Sequence, residues 1–230
     1  MDREAMSWKP LLRSLLLGYH STMKTALDAP KLLGIPAHRI VLEPAPGTAT
    51  EEDVLHLLHH HDRICELIDG TLVEKPMGTR GGILASFIAR CFWNFIDDEN
   101  LGLVGGADSP FRMLRRNIRY PDVSFVPWSA MPDGEAPDDA IWSVVPSLAV
   151  EVFSESNTHV EMVQKWAELS ELGTLVMWLI DPATSTAEIW RPEHEPVLVS
   201  LGDRLDASPA LPGFMLPLAD VFGSLARRRS

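Results

Sequence analysis

The sequence predicts an α/β fold, a mixed β-sheet flanked by α-helices, and three observations carry that prediction. After about residue 48, segments of helical and strand period alternate in the order helix, strands, helix, strands. Thr174 to Ile180 is almost wholly apolar, as a strand covered on both faces must be. Asp69-Gly70 lies between two short apolar runs, the strongest local signal for a tight hairpin.

Residues 1–47 read as an appendage: a helical arm over Ser7 to Leu27, then Pro30, Gly34, Pro36, Pro44 and Pro46 interrupting any regular element. Thr48 or Thr50 caps a short helix reaching about His59. Ile64–Ile68 and Thr71–Glu74 form the hairpin. Arg80 to Asp97 carries Ile83, Leu84, Phe87, Ile88, Cys91, Phe92 and Phe95 at helical spacing. Short strands follow near 101–105, 109–115 and 121–126, then a Pro/Asp/Gly-rich loop over 127–145. Leu148–Phe153 is an apolar strand holding one acid, and Thr158–Leu172 a helix stopped by Gly173. Strands near 186–191 and 196–200 pair as a hairpin. The domain is expected over residues 48–222, with a basic tail at 223–230.

Bulk properties narrow the function. A chain of 230 residues, 46% apolar, can bury a full core. It has no apolar run of membrane-spanning length, and no secretory signal is expected, since Arg13 breaks the N-terminal apolar run without a cleavage site after it. Two cysteines in strongly patterned sequence point to buried thiols in a reducing compartment, hence the cytoplasm. The net charge of −12 opposes nonspecific coating of nucleic acid. Residues 1–50 carry +2, so residues 51–230 carry −14. Within that acidic stretch, Phe111 to Tyr120 holds Arg112, Arg115, Arg116 and Arg119 and no acid. This strip either deters edge pairing of a strand or holds phosphate, and its run into Asp122 favours phosphate.

Chemistry is sought where the pattern wants an apolar residue and a polar one stands. Glu151 interrupts Leu148-Ala-Val-Glu-Val-Phe153, and Asp122 opens the run after Pro121. A buried carboxylate needs a partner. The two acids either share a divalent cation, Mg²⁺ being suited to carboxylates plus water, or form salt bridges: Asp122 to a nearby arginine and Glu151 to Lys165. Glu161 caps its own helix through Thr158, and a solvated Glu161–Lys165 pair would account for Lys165. Glu66 pairs with Arg63 or Lys75, or else belongs to the site. His59-His60-His61 reads as a solvated helix end, Asp138-Asp139 as a solvated loop, and Trp93, Trp166, Trp178 and Trp190 as packing residues.

The motifs Glu66-Leu-Ile-Asp-Gly-Thr-Leu-Val-Glu74, Tyr120-Pro-Asp-Val123, Val150-Glu-Val-Phe-Ser154, Lys165 and Met177-Trp-Leu-Ile-Asp-Pro182 occur in the order and spacing of one family. Over roughly residues 48–222 the chain resembles the Uma-two family, bacterial endonucleases of the PD-(D/E)XK superfamily. The resemblance implies a restriction-endonuclease-like core, Asp122 and Glu151 as ligands of Mg²⁺ or Mn²⁺, and Lys165 as a catalytic lysine that has migrated from the strand to the helix. Phe153 occupies the strand position of that lysine. Glu66 matches the acid of the first motif, at the edge of the site. The expected function is metal-dependent hydrolysis of DNA phosphodiester bonds by a homodimer. The alternative is a catalytically idle nuclease fold acting as a nucleic-acid-binding or dimeric assembly module. Departures from the family are Leu169 in place of a tyrosine, Thr79-Arg-Gly-Gly82 in place of a histidine-containing helix start, and Ser154-Glu-Ser-Asn-Thr158 without its proline.

Overall fold

In a computed structural model of the chain, residues 34–61, 63–76 and 78–226 are described. The arm helix expected before residue 34 and the basic tail Arg227-Arg228-Arg229 lie outside the described residues.

Local chemistry sets the first elements. The Thr50 amide and hydroxyl both donate to Asp53, at 2.8 and 2.9 Å, and α1 follows over Glu51–His61. Strands β1 (Cys65–Ile68) and β2 (Thr71–Glu74) close the expected hairpin, with Asp69 and Gly70 at φ 45° and 73°. A two-residue turn of this hand needs positive φ at both positions. Helix α2 (Thr79–Ile96) buries Leu84, Ala85, Ile88, Phe92 and Ile96, a stripe at helical spacing. Trp93 does not belong to it: it stands 40% exposed, one position off the stripe, and is no core residue.

Strand β3 (Gly102–Gly105) follows. The single strand expected near 109–115 is instead a hairpin of β4 (Phe111–Arg112) and β5 (Ile118–Arg119). Its bend is a 3₁₀ turn over Leu114–Arg116, with Arg115 and Arg116 at φ 56° and 65°. Strand β6 (Val123–Pro127) leads into the expected loop, which holds two short 3₁₀ turns. Then come β7 (Leu148–Val152), α3 (His159–Leu172), β8 (Val176–Asp181), β9 (Thr186–Trp190) and β10 (Val197–Val199). The C-terminal part, which has no clear period, folds as a two-stranded ribbon of β11 (Arg204–Asp206) and β12 (Met215–Pro217) followed by α4 (Leu218–Gly223).

The strands form a six-stranded sheet, β10-β9-β8-β7-β6-β3, and a four-stranded one, β2-β1-β5-β4. Only the β7–β8 pair is parallel in the larger sheet, the crossover between them being α3. The fold is therefore the mixed α/β architecture expected. Alternation along β7 decides what each side chain meets. Leu148, Val150 and Val152 pack with α2 and the C-terminal segment, whereas Ala149 shares the opposite face with Met177, Leu179 and the α3 residues Met162, Val163 and Trp166. Glu151 falls on that second face, under α3. Residues 34–47, read as linker, lie against the hairpin: Ile40 bridges Val73, and the Val41 amide donates to Leu72 O at 2.9 Å.

Gly102 has no alternative. A Cβ at Gly102 would stand 2.2 Å from Val126 O and 2.7 Å from Pro127 Cα, both backbone of the paired strand β6. Gly102→Ala is expected to destabilise the fold by ~1–3 kcal/mol, read as a lower urea midpoint at unchanged slope.

Candidate active site

Four elements converge on one polar cluster beneath α3. Asp122, just ahead of β6, is tied to β7 on both sides of Glu151. Its amide donates to Val150 O at 2.9 Å, and its Oδ2 accepts from the Val152 amide at 2.7 Å. The two carboxylates that the sequence singled out are thus held side by side at one end of the sheet, Asp122 just before β6 and Glu151 near the end of its antiparallel neighbour β7. Glu151 is 5% exposed and Glu66 2%.

Lys165 reaches the cluster from the middle of α3 and is itself 3% exposed. Its Nζ lies 2.6 Å from Glu151 Oε1, 2.8 Å from Glu66 Oε1 and 3.3 Å from Tyr120 O. Phe153 leaves the strand without a lysine, and the helix supplies one at the same face. The helix is aimed by its own start. Thr158 and Glu161 form the expected capping box, and Glu161 accepts both Arg39 guanidinium nitrogens at 2.8 Å. Glu161 is therefore paired with Arg39 of the segment before α1, and not with Lys165.

Glu66, on β1, accepts from Arg119 Nη1 at 3.0 Å and from the Tyr120 amide at 3.1 Å. Neither Arg63 nor Lys75 is its partner. Arg119 is fully buried and spends its remaining nitrogens on Glu168 of α3, both bonds 2.8 Å. This corrects its assignment to a phosphate-holding strip: a guanidinium with no solvent exposure and two carboxylates around it has no donor left for DNA. Its role is to anchor Glu66. Arg112 is partly exposed and bonded to Glu51 and Ser143. Arg115 and Arg116 stand exposed on the β4–β5 turn.

Sequence reasoning missed Lys75 as a member of the cluster. Its Nζ donates to Tyr120 O at 2.7 Å and to Ala107 O at 3.2 Å, and pairs with Asp122 Oδ1 at 2.8 Å. The expected arginine partner of Asp122 is replaced by this lysine. A signal existed: Glu66 pairs across the hairpin with Val73, so Thr71, Val73 and Lys75 alternate onto the face that Glu66 occupies.

The electrostatics follow from burial among mixed charges. Desolvation pushes the Glu151 carboxyl up to about 7, with Asp122 and Glu66 adding to the rise and Lys165 and Lys75 opposing it. Glu66 goes the other way. Burial opposes its ionisation, but Lys165, Arg119 and the Tyr120 amide together hold it well below the usual carboxylate range. Lys165 is held above its ordinary value by Glu151 and Glu66, which outweigh desolvation. The cluster thus keeps one firmly ionised acid, one that ionises only near neutrality, and a permanently charged lysine between them.

Residues 51–219 match the model of the family described as "Uma2: Putative restriction endonuclease". The chain belongs to the Uma2 family. The crystal structure of "a putative nuclease belonging to DUF820 from Anabaena variabilis ATCC 29413" has the same fold, with a TM-score of 0.65 at 20% identity over 76% of this chain and 98% of that one. No curated protein matches the chain. Leu169, where the resemblance led to the expectation of a tyrosine, is wholly buried beside Trp166 in the α3 layer.

Among the described residues there is no group of three or more His, Cys, Asp or Glu side chains arranged to hold a metal ion. Asp122 and Glu151 nevertheless suit one kind of cation. Two adjacent carboxylates without nitrogen or sulfur are the donor set of Mg²⁺ or Mn²⁺, which complete their shells with water. Glu151 Oε1 is buried and faces the Lys165 ammonium at 2.6 Å without the alignment of a hydrogen bond.

Proposed function

We propose that this protein is a metal-dependent endonuclease that hydrolyses phosphodiester bonds of DNA. The observation that carries the reading is the meeting of Asp122, Glu151 and Lys165. Two strands and a helix, separated by up to 43 positions in sequence, bring these three side chains to one point. Asp122 and Glu151, with the Val152 carbonyl, would hold Mg²⁺ or Mn²⁺. Such an ion lowers the pKa of a bound water and stabilises charge on phosphorus oxygens.

Lys165 orients the attacking water and faces the developing negative charge as a fixed ammonium. Glu66 and Arg119 keep that ammonium in place, Glu66 by direct contact and Arg119 through Glu66. Arg115 and Arg116, exposed at the β4–β5 turn, are suited to backbone phosphates and confer no sequence preference. Asp122→Ala and Lys165→Ala are each expected to lose nicking of supercoiled plasmid in Mg²⁺ or Mn²⁺. Undiminished cleavage by either variant overturns the assignment.

A further inference from the structure

The cluster contains a second lysine for which the mechanism above has no use, and its position conflicts with that mechanism. Lys75 Nζ sits 2.8 Å from Asp122 Oδ1, while Asp122 Oδ2 is taken by the Val152 amide. Asp122 Oδ1 therefore already faces an ammonium, and a divalent cation arriving at that oxygen meets Lys75 there. The lysine is 8% exposed, and its three acceptors, Asp122, Tyr120 O and Ala107 O, match the three protons of an ammonium. Its position is well made, not incidental.

Charge leads to the same conflict. Asp122, Glu151, Glu66 and Glu168 face Lys75, Lys165 and Arg119, so every cation of the cluster is already paired with a carboxylate. Both lysine ammoniums donate to the one carbonyl oxygen of Tyr120, at 2.7 and 3.3 Å. A divalent ion entering beside Asp122 would add two charges to a largely buried group, next to two ammoniums already close together. Repulsion at such distances is strong where water is scarce. Lys165 is enclosed under α3 and held by two carboxylates. Lys75, by contrast, also lines a cavity of about 380 Å³ whose charged walls are Arg39, Arg63 and Glu74, and its long flexible stem can turn into that space.

Resting on the nuclease reading, we propose that Lys75 is the resident counter-cation of Asp122, displaced by the divalent ion into the adjoining cavity. Lys75 and the metal then occupy Asp122 Oδ1 in turn, and Lys75 sets the affinity of the site for the ion. Lys165 keeps its place in both states.

Two measurements test this on the full-length protein. In the wild type, amine acetylation read by mass spectrometry should find Lys75 and Lys165 protected without metal. Saturating Mn²⁺ should expose Lys75 alone. Lys75 that stays protected in the Mn²⁺-bound protein overturns the proposal. Second, Lys75→Gln keeps a side-chain donor for the Tyr120 and Ala107 carbonyls but removes the charge. Calorimetric titration should find it binding Mn²⁺ roughly ten-fold more tightly than wild type, the scale of one charge contact removed in a partly buried site. Affinity equal to or weaker than wild type overturns the proposal. If the wild type binds Mn²⁺ and nicks plasmid while Lys75 fails these tests, only the counter-cation role is lost. If neither protein binds Mn²⁺ and neither nicks, the metal-dependent reading falls as well.

Discussion

Glu151→Gln is expected to lose metal-dependent nicking by about a thousandfold or more while gaining stability relative to wild type as the pH rises. The two effects have one cause. The carboxylate that would hold the ion is buried at 5% exposure, and its pKa is raised from 4.5 to about 7, chiefly by desolvation. Between those values the folded protein retains a proton that the unfolded chain releases. A raised folded pKa gives stability that is complete below about 4.5 and is lost as pH climbs through about 7. The loss is ~3 kcal/mol at pH 8. Glutamine has the same shape and no charge to desolvate, and Lys165 keeps Glu66 at 2.8 Å as its partner. The measurement is urea unfolding of both proteins at pH 5 and pH 8. The variant should gain on the wild type between the two. A pH-independent difference would show that Glu151 is not the group titrating in this window.

Arg119→Ala should be the most damaging single substitution outside Asp122, Glu151 and Lys165, lowering stability by ~3–5 kcal/mol, the range for removing one partner of a buried ion pair. The guanidinium has no solvent exposure and joins β5 to both Glu66 and Glu168. Without it, Glu66 keeps Lys165 and the Tyr120 amide but loses one of two cationic partners. Glu168 keeps a single bond, from Asn117 at 3.1 Å. The pH dependence follows the lowered pKa of Glu66, whose stabilisation is present above about 4.5 and lost as pH falls toward its folded value. Most of the destabilisation should therefore appear at neutral pH and shrink in acid. A second check is a double-mutant cycle: adding Glu66→Gln to Arg119→Ala should cost far less than Glu66→Gln costs alone. Additive losses would mean that the two side chains are not coupled.

How much of this was legible in the sequence depends on the range over which each feature is decided. Asp69-Gly70, the capping box from Thr158 to Glu161 and the stop at Gly173 could be read because a few adjacent residues settle them. Asp122 and Glu151 were legible because a carboxylate amid core residues violates the strand pattern and needs a partner. Lys165 came from the order of motifs, since Phe153 left the strand without its lysine. The β4–β5 hairpin was not legible, because Phe111 to Tyr120 has no turn dipeptide and bends through two arginines at positive φ. The arginines in that stretch look alike in sequence, yet one is enclosed and two are exposed.

What the sequence determined by itself was the layered α/β order and the identity of the polar residues placed against the core, because periodicity and pattern violation are local properties. The tertiary structure alone decided the pairings: Lys75 on Asp122, Arg119 on Glu66 and Glu168, and Arg39 on Glu161. Each joins side chains brought together by sheet order and helix packing, across as many as 122 positions. An ion pair depends on where two charged ends meet in space, and no residue carries that information in its own neighbourhood.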